Sequence, residues 1–142
     1  MTAPFATRLD VRLYDLDAQG HLSGAAYLQY ANHAFWACAR AAGIDIDRML
    51  ASGIGPVNLE TTIRYRRELR GGDAVDVTCA LHFDSSKRYD VAHQFLTPDG
   101  ELAAEVVGTY GLLDLSERHL VPDPQARWRQ LAARPEVLGL AA

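Results

Sequence analysis

The segment that most restricts the fold of this chain is Gly24–Ala42, which is long, rich in alanine and almost free of charge. Its large apolar groups recur three or four positions apart, which predicts a helix of about five turns with a broad apolar face. Gly43 follows, at the position where glycine commonly ends a helix. Arg40 is the only charged residue in the segment, so we expect other elements of the fold to wrap around this helix.

Most of the remaining sequence shows the alternation of apolar and polar residues that is typical of half-buried strands. One such run precedes the long helix at about residues 8–13, and four follow it at about 57–65, 75–83, 89–95 and 102–113. Turn residues such as Gly71-Gly72-Asp73 separate the four later runs, which predicts an antiparallel meander. A short helix at about 45–52 and a C-terminal helix at about 123–133 complete the predicted elements.

These elements indicate an α+β fold, because helices and antiparallel strands are segregated along the chain. A helix this apolar can be buried inside a curled sheet. That arrangement is the hotdog fold, in which one long central helix is wrapped by a five-stranded antiparallel sheet. Since 142 residues is the size of one domain, we expect a single domain over residues 1–142 with its core at about 7–115.

Charge and composition exclude several functional classes. The net charge of −4 gives no global attraction for nucleic acid, and no apolar run approaches the length of about 18 residues that a membrane span needs. The first ten residues lack the features of a signal peptide, so we expect a cytoplasmic protein. Cys38 and Cys79 are expected to be buried apolar residues. The spacing of the histidines is not that of a metal site, and we expect no metal and no cofactor.

Potentially reactive side chains are concentrated in Tyr14–His21, immediately before the long helix. A carboxylate and an imidazole are presented here beside a helix N-terminus, where backbone N–H groups are free and the helix dipole is positive. Such an N-terminus can stabilise a developing oxyanion while a neighbouring carboxylate drives attack on a carbonyl, which suits acyl transfer to water. The same residues also suit an ordinary Asx-turn, with Ser23 serving only as the helix cap.

The chain resembles hotdog-fold thioesterases of the 4-hydroxybenzoyl-CoA thioesterase-like group in the motif Asp15-x-Asp17-x-x-Gly20-His21 and in the Tyr27-Leu28 that follows it. Asp17, His21 and Leu22 are also similar to a segment of the acyl-acyl-carrier-protein thioesterases. The layout of strands and turns agrees with these families over about residues 7–115. The resemblance implies hydrolysis of an acyl thioester, either acyl-CoA or acyl-carrier protein, to a free acid and a thiol.

The resemblance also implies roles for particular residues. It places the catalytic carboxylate, as nucleophile or general base, at Asp17 and the oxyanion donor at a backbone N–H near Gly24. His21 would contact the thioester oxygen or a water molecule. Asp17 is expected to work against the helix N-terminus at a dimer interface. The acyl group is expected in a tunnel beside the long helix, lined by Tyr27, Tyr30 and Phe35, with Asn32 as a further candidate for substrate binding.

Several positions depart from the family pattern. Ser23-Gly24 replaces the usual Asn-Asn pair, Asn32 replaces the usual acidic residue of the helix, and Phe35 replaces a charged residue. These changes leave Asp17 as the sole candidate carboxylate and keep open a non-catalytic acyl-binding module. A hotdog dehydratase is less favoured, because the sequence has no histidine before Phe-Pro.

Basic residues on the later strands offer candidates for binding phosphate groups. One cluster is Arg64, Arg66, Arg67 and Arg70, and another is Lys87-Arg88. Each cluster suits either a solvated strand face or capture of coenzyme A phosphates or an acidic carrier protein. We favour Lys87 and Arg88, because neighbouring serine hydroxyls would complete such a site. A homodimer or homotetramer is expected as well, since the edges of a single curled sheet need covering.

Overall fold

The computed structural model describes residues 3–140. Within that range lie three α-helices: α1 Gly24–Ala41, α2 Ile46–Ala51 and α3 Pro124–Leu131. The five strands of the same range are β1 Phe5–Asp10, β2 Ile54–Tyr65, β3 Ala74–Phe83, β4 Arg88–Leu96 and β5 Leu102–Asp114, and two 3₁₀ turns cover Leu13–Asp15 and Pro135–Leu138. The prediction of an α+β fold with one long helix and five antiparallel strands is confirmed.

Helix α1 begins and ends as its sequence predicts. Ser23 caps the N-terminus, where its Oγ accepts a hydrogen bond from the backbone N–H of Ala26 at 3.3 Å. Gly43 follows the C-terminus with a φ of +80°, a left-handed conformation that favours glycine. A Cβ at this position would also lie only 2.7 Å from the Cβ of Ala133. Glycine at position 43 therefore allows both the left-handed backbone conformation and the close approach of the C-terminal segment.

One face of α1 is left uncovered by this chain. The buried face packs against β1, β3, β4 and β5. Leu28 on the opposite face is 45% exposed, and its exposed neighbours there are Ala25, Gln29, Asn32 and His33. The sheet therefore wraps the helix on its buried side and leaves the opposite face open in a single chain, because one sheet covers only one side of a cylinder about 10 Å across.

The sheet has the strand order β1-β3-β4-β5-β2, and all neighbouring strands are antiparallel. The predicted meander is correct for β3, β4 and β5 but wrong for β2, which pairs with β5 at one edge of the sheet. The first strand takes the place beside β3, with Phe5 opposite Cys79 and Asp10 opposite Ala74. Since β3 then has two neighbours already, residues 66–73 form a crossover rather than a hairpin turn.

A β-bulge at Leu59 reverses the alternation of side chains along β2. Asn58 lies opposite Tyr110 whereas Glu60 lies opposite Thr109, so β2 carries one extra residue at this point. Unbroken alternation predicts that residues 58 and 61 lie on opposite faces of the strand. The bulge puts them on the same face instead, and Nδ2 of Asn58 donates a hydrogen bond to Oγ1 of Thr61 at 2.8 Å.

The C-terminal segment closes the core at the end of α1 that is remote from the motif. Trp128 of α3 is fully buried, and its ring packs edge-on against Phe35 and Tyr89 with centroid separations of 5.9 and 6.1 Å. The N–H of Arg134 donates to the carbonyl of Ala42 at 2.9 Å, which attaches the segment to the end of the helix. The predicted C-terminal helix is thus present and contributes to the core.

Two expectations from composition can be compared with the structure. Cys38 and Cys79 are both buried and carry free thiols, which confirms their predicted place in the core. Of the helices within residues 3–140, none combines the length and the apolar character needed to cross a bilayer.

Candidate active site

The segment from Asp15 to Ser23 forms a small hairpin that leads directly into α1. Leu16 and Leu22 form an antiparallel bridge, and the N–H of Asp17 donates to the carbonyl of His21 at 2.8 Å. Gly20 closes the turn with a φ of +77°, where glycine is favoured. This turn explains the spacing of the motif, because it sets Asp17 and His21 opposite each other on its two arms.

Asp15, the first carboxylate of the motif, is a structural residue of this hairpin. It is 8% exposed, and its Oδ2 accepts hydrogen bonds from the hydroxyl of Tyr30 and from Nε of Arg12, each at 2.7 Å. These two donors hold the pKa of Asp15 below its ordinary value. Its carbonyl oxygen accepts from the N–H of Ser23 at 3.0 Å. Asp15 therefore fixes the hairpin to α1, and Tyr30 is its partner rather than part of an acyl tunnel.

Asp17, the second carboxylate, is exposed, and its two oxygens have different surroundings. Its Oδ1 accepts hydrogen bonds from the backbone N–H groups of Gln19 at 2.9 Å and His21 at 3.1 Å, which is the predicted Asx-turn. Its Oδ2 accepts no hydrogen bond from residues 3–140. The turn therefore holds the carboxylate in place through one oxygen and leaves the other available.

The N-terminus of α1 provides backbone donors beside this carboxylate. The N–H of Ala26 is taken by the Ser23 cap, and the N–H of Tyr27 donates to the carbonyl of Ser23. The N–H groups of Gly24 and Ala25 have no acceptor in the part of the chain that is described. Free N–H groups at this end of a helix, where the dipole is positive, are suited to an anion or a developing oxyanion.

The crossover after β2 forms the opposite wall of the site. The N–H of Leu22 donates to the carbonyl of Leu69 at 2.7 Å, and His21 forms an antiparallel bridge with Arg70. Between the crossover and the helix lies a cavity of about 400 Å³, lined by Asp17, His21, Leu22, Gly24, Tyr27, Tyr65, Arg66, Arg67 and Glu68. Four of the residues predicted for the site, at positions 17, 21, 24 and 27, thus come together within one chain.

Tyr65 places a hydroxyl group at the N-terminus of α1. A Cβ at Gly24 would lie 3.1 Å from the Tyr65 hydroxyl oxygen, so the glycine leaves room for this group. The Tyr65 ring packs edge-on against Tyr27 with a centroid separation of 5.3 Å. Burial raises the pKa of Tyr27 to about 12, which keeps its hydroxyl protonated at neutral pH.

His21 is directed toward the crossover rather than toward Asp17. Its Nε2 lies 3.6 Å from Oε2 of Glu68, and Arg70 donates to the other carboxylate oxygen of Glu68 at 2.7 Å. Arg70 and His21 both hold the pKa of Glu68 below its ordinary value. The Glu68 carboxylate therefore stays ionised at neutral pH and can hold the imidazole at the rim of the cavity.

The cations that border this cavity are Arg66 and Arg67. Arg66 lies 4.0 Å from a carboxylate oxygen of Glu105, and Arg67 forms an ion pair with Glu101. All four side chains are well exposed to solvent or partly so. Exposed ion pairs contribute little to stability in water. Each arginine can therefore exchange its carboxylate partner for another anion.

Lys87 and Arg88, which we favoured from the sequence, lie elsewhere in this chain. Lys87 is in the turn between β3 and β4, and Arg88 begins β4. Arg88 is seven residues from Phe95, which lies in the same row of the sheet as Tyr65. At about 3.3 Å per residue, that separation is about 23 Å. The hydroxyl of Ser86 is engaged within the turn itself, where it accepts from the N–H of Arg88. The structure therefore does not bring this pair to the cavity of Asp17.

Asn32 and Phe35, the remaining predicted contacts of the acyl group, are separated by the structure. Asn32 lines a second cavity of about 320 Å³, further along the exposed face of α1. Phe35 is buried in the core beside Trp128.

The sequence interpretation missed Tyr65 and Glu68 as residues of this site. Both belong to a segment for which the sequence predicts a strand end and a hairpin turn. The available signal was the run of polar residues Arg66-Arg67-Glu68 directly after a strand, which is where a connecting segment carries functional groups.

Comparison with known proteins shows that this chain is similar to two thioesterases. Acyl-acyl carrier protein thioesterase ATL3, chloroplastic, of Arabidopsis thaliana is 31% identical over 107 residues, which cover 75% of this chain and 56% of the Arabidopsis protein. Long-chain acyl-CoA thioesterase FadM of Escherichia coli (strain K12) is 29% identical over 115 residues, which cover 77% of this chain and 83% of that protein. The chain thus spans little more than half the length of the Arabidopsis relative.

A solved structure and a family model extend the comparison. The crystal structure of YbaW from Escherichia coli, a probable thioesterase, superposes with a TM-score of 0.78 at 25% identity and covers 88% of this chain and 93% of its own. This agreement confirms the predicted hotdog fold. The family model of the thioesterase-like superfamily matches residues 11–138, which is most of the sequence. The chain therefore belongs to the thioesterase-like superfamily.

Proposed function

We propose that this chain hydrolyses an acyl thioester, carried on coenzyme A or on an acyl-carrier protein, to a free acid and a thiol. The observation that carries the proposal is that Asp17 and the N-terminus of α1 border one cavity. The carboxylate supplies a base or nucleophile, and the free N–H groups of Gly24 and Ala25 supply an oxyanion site. Membership of the thioesterase-like superfamily supports the same reaction.

The reaction can proceed in two forms at this site. In the general-base form, Asp17 takes a proton from water while the water oxygen bonds to the carbonyl carbon, and the N–H groups of Gly24 and Ala25 stabilise the oxyanion. When the carbonyl re-forms, the C–S bond breaks and the thiolate takes the proton back from Asp17. In the nucleophilic form, Oδ2 of Asp17 bonds to the carbonyl carbon and the C–S bond breaks, which releases the thiolate and leaves a mixed anhydride. Water then cleaves the anhydride to the free acid and the Asp17 carboxyl group, whose proton passes to the thiolate. Both forms need a free carboxylate oxygen.

We assign a third oxyanion donor, beside the N–H groups of Gly24 and Ala25, to the Tyr65 hydroxyl, which lies next to Gly24. The change Tyr65→Phe removes the hydroxyl and retains the ring that packs on Tyr27. Loss of one oxyanion donor commonly lowers kcat by about 10²–10³, and we expect about tenfold here because two backbone donors remain. Steady-state hydrolysis of one acyl-CoA by both proteins measures the effect. An unchanged kcat would remove Tyr65 from the mechanism.

Arg66 and Arg67 are proposed to receive the negatively charged carrier. They are the cations that border the cavity, and guanidinium groups bind phosphate through paired hydrogen bonds. Both arginines serve coenzyme A phosphates and an acidic carrier protein equally well, so the choice between the two carriers is left to experiment.

A second candidate function is a non-catalytic acyl-binding module. It is favoured by the engagement of Asp17 in the Asx-turn and by the change of the Asn-Asn pair to Ser23-Gly24. The deciding experiment offers aromatic, short-chain and long-chain acyl groups, each on coenzyme A and on a carrier protein, and measures thiol release and binding together. Turnover of any of these thioesters supports the hydrolase, whereas tight binding with no thiol release supports the module.

A homodimer is proposed to cover two surfaces that this chain leaves open. Strand β2 is a sheet edge of 12 residues with mostly exposed side chains, and the face of α1 that contains Leu28 is exposed and uncharged. Long exposed edges pair readily with another strand. We expect a particle of at least twice 15.6 kDa by light scattering after gel filtration. A monomer at micromolar concentration would contradict the proposal.

A further inference from the structure

The two cysteines of the chain face each other in the core, about 21 Å along α1 from its N-terminus. Cys38 lies on α1 and Cys79 on β3, both are fully buried, and both belong to one apolar cluster. The hydrogen bond between their thiols is the main influence on the pKa of each. The sequence contains no other cysteine, so a disulfide within this chain can join only these two. Contact between two thiols on different elements is the geometry from which a disulfide forms.

The two thiols differ in acidity, which decides the order in which they react. The hydrogen bond from the Cys79 thiol lowers the pKa of Cys38, whereas the hydrogen bond to Cys38 and burial raise the pKa of Cys79. The thiolate, and not the thiol, is the form of cysteine that reacts with an oxidant. Cys38 is therefore the first to react, and Cys79 is the neighbouring thiol that can complete a disulfide.

Residues 135–140, which we call the C-terminal cover, lie over this pair. The 3₁₀ turn within the cover contacts both α1 and β3. The carbonyl of Val137, in the turn, accepts a hydrogen bond from the Cys38 thiol at 3.5 Å. A Cβ at Gly139 would lie 3.6 Å from the Cβ of Ala80, so the cover also passes closely over β3 beside the second cysteine. The cover therefore separates the two thiols from solvent.

Arg134, the residue before the cover, attaches it to the end of α1. Its backbone N–H donates to the carbonyl of Ala42 and its Nε to the carbonyl of Ala41, each at 2.9 Å. A short terminal segment held in this way opens locally at a lower free energy than the unfolding of the whole domain. Such an opening uncovers Cys38 while the sheet stays folded, so a water-sized oxidant can reach the thiol pair.

We propose that Cys38 and Cys79 form a disulfide in the folded protein when a hydroperoxide reaches them through the opened C-terminal cover. The Cys38 thiolate attacks the O–O bond of hydrogen peroxide, becomes a sulfenic acid and releases hydroxide. The sulfur of Cys79 then attacks the Cys38 sulfur, the S–O bond breaks and water leaves. The two thiols lose two electrons and two protons in total, and the peroxide takes them up to give two molecules of water.

The disulfide is expected to stabilise the fold. It closes a loop of about 40 residues between α1 and β3, which restricts the unfolded chain. A cross-link of this size should raise the thermal midpoint by about 5–10 °C in a domain of this length. Oxidation therefore yields a more stable form of the same fold, and reduction returns the original form.

The experiment treats the intact protein with excess hydrogen peroxide under native conditions. Mass spectrometry should show the loss of two hydrogens and, after digestion, a cross-linked pair of peptides that contain Cys38 and Cys79. The thermal midpoint should rise with the same time course, and dithiothreitol should reverse both changes. Oxidation to sulfinic acid without a cross-link, or two thiols that stay free after long exposure, would overturn the proposal.

Two single variants test the order of reaction. Cys79→Ala should stop at a sulfenic acid on Cys38, which a dimedone probe detects, and its thermal midpoint should not rise on oxidation. Cys38→Ala should leave Cys79 reduced under the same conditions, because the thiol that reacts first is absent. Circular dichroism verifies that both proteins are folded. Dimedone labelling of Cys79 in the Cys38→Ala protein would contradict the order.

A second pair of variants tests the path of the oxidant with both cysteines left in place. Arg134→Ala removes the side-chain hydrogen bond to Ala41, so the cover should open more often and the disulfide should form about five times faster. Asp15→Asn loosens the hairpin at the other end of α1 and should leave that rate within about twofold. Equal acceleration in both variants would show that oxidation follows general unfolding, which would contradict the cover as the path.

Discussion

The change Asp17→Asn is expected to lower kcat for thioester hydrolysis by about 10²–10⁴, in line with the loss of a catalytic base. Of the two carboxylates of the motif, Asp17 borders the cavity and keeps one oxygen without a donor from residues 3–140, whereas Asp15 is committed to Tyr30 and Arg12. An amide has no charge and no basic lone pair of comparable strength. The loss therefore applies to the general-base and to the nucleophilic form of the reaction alike.

Asparagine is the informative substitution because it preserves the turn. Its amide oxygen can accept the two hydrogen bonds that Oδ1 of Asp17 now accepts from Gln19 and His21. The thermal midpoint should therefore change by only about 2 °C or less, whereas Asp17→Ala removes both bonds and should lower it further. The chemical change is thereby confined to the second oxygen.

The matched control for this prediction is the other aspartate of the motif. Asp15→Asn weakens the contacts with Tyr30 and Arg12 that hold the hairpin on α1, so it should reduce stability more than Asp17→Asn does. Its effect on kcat should be smaller, because Asp15 does not border the cavity of Asp17. Full activity of the Asp17→Asn protein, measured as thiol release on the best substrate, would remove Asp17 from the mechanism.

Local features of this fold could be predicted from the sequence because short-range chemistry decides them. The Ser23 cap, the left-handed Gly43 and the turn at Gly20 each depend on residues within a few positions of one another. The same holds for the alternation that marks β3, β4 and β5. The motif loop was correctly located for this reason, since the turn that presents Asp17 is complete within five residues.

The partner of β2 could not be predicted, because strand order depends on contacts far apart in sequence. The turn residues after β2 suit a hairpin with β3, but the N-terminal strand occupies that place, as in the pairing of Phe5 with Cys79. The error had a direct consequence for the site. With β2 at the far edge, residues 66–73 cross below the N-terminus of α1, and only this path brings Tyr65 and Glu68 to Asp17.

The bulge at Leu59 is a second feature that the sequence pattern does not predict, and it determines which side chains of β2 line the second cavity. One additional residue in β2 cannot be recognised from an alternating pattern, since Val57, Leu59, Thr61 and Ile63 read as one unbroken apolar face. The register with β5 places Asn58 opposite Tyr110 and on the same face of β2 as Thr61. The polar lining of the second cavity is therefore visible only in three dimensions.

A second large effect is expected for Trp128→Ala, which should lower the free energy of unfolding by about 3–5 kcal/mol. The Trp128 side chain is fully buried and lies between Phe35 of α1 and Tyr89 of β4, so its removal leaves a large cavity in the core. Domains of this kind have a total stability of about 5–15 kcal/mol, so the loss is a large part of the whole. Urea unfolding followed by circular dichroism measures it.

Two controls distinguish the packing of the indole ring from other causes. Trp128→Phe retains an aromatic ring in the same place and leaves a smaller cavity, so a loss of about 1–2 kcal/mol is expected. Trp36→Ala removes the other tryptophan, which is only partly buried, and should cost less than Trp128→Ala. If all three variants unfold at the same urea concentration as the original protein, the C-terminal segment does not hold the core together. Trp128 packs against Phe35, which is eleven residues and therefore about 17 Å along α1 from Gly24 at the cavity of Asp17, so folded Trp128→Phe protein should keep its kcat.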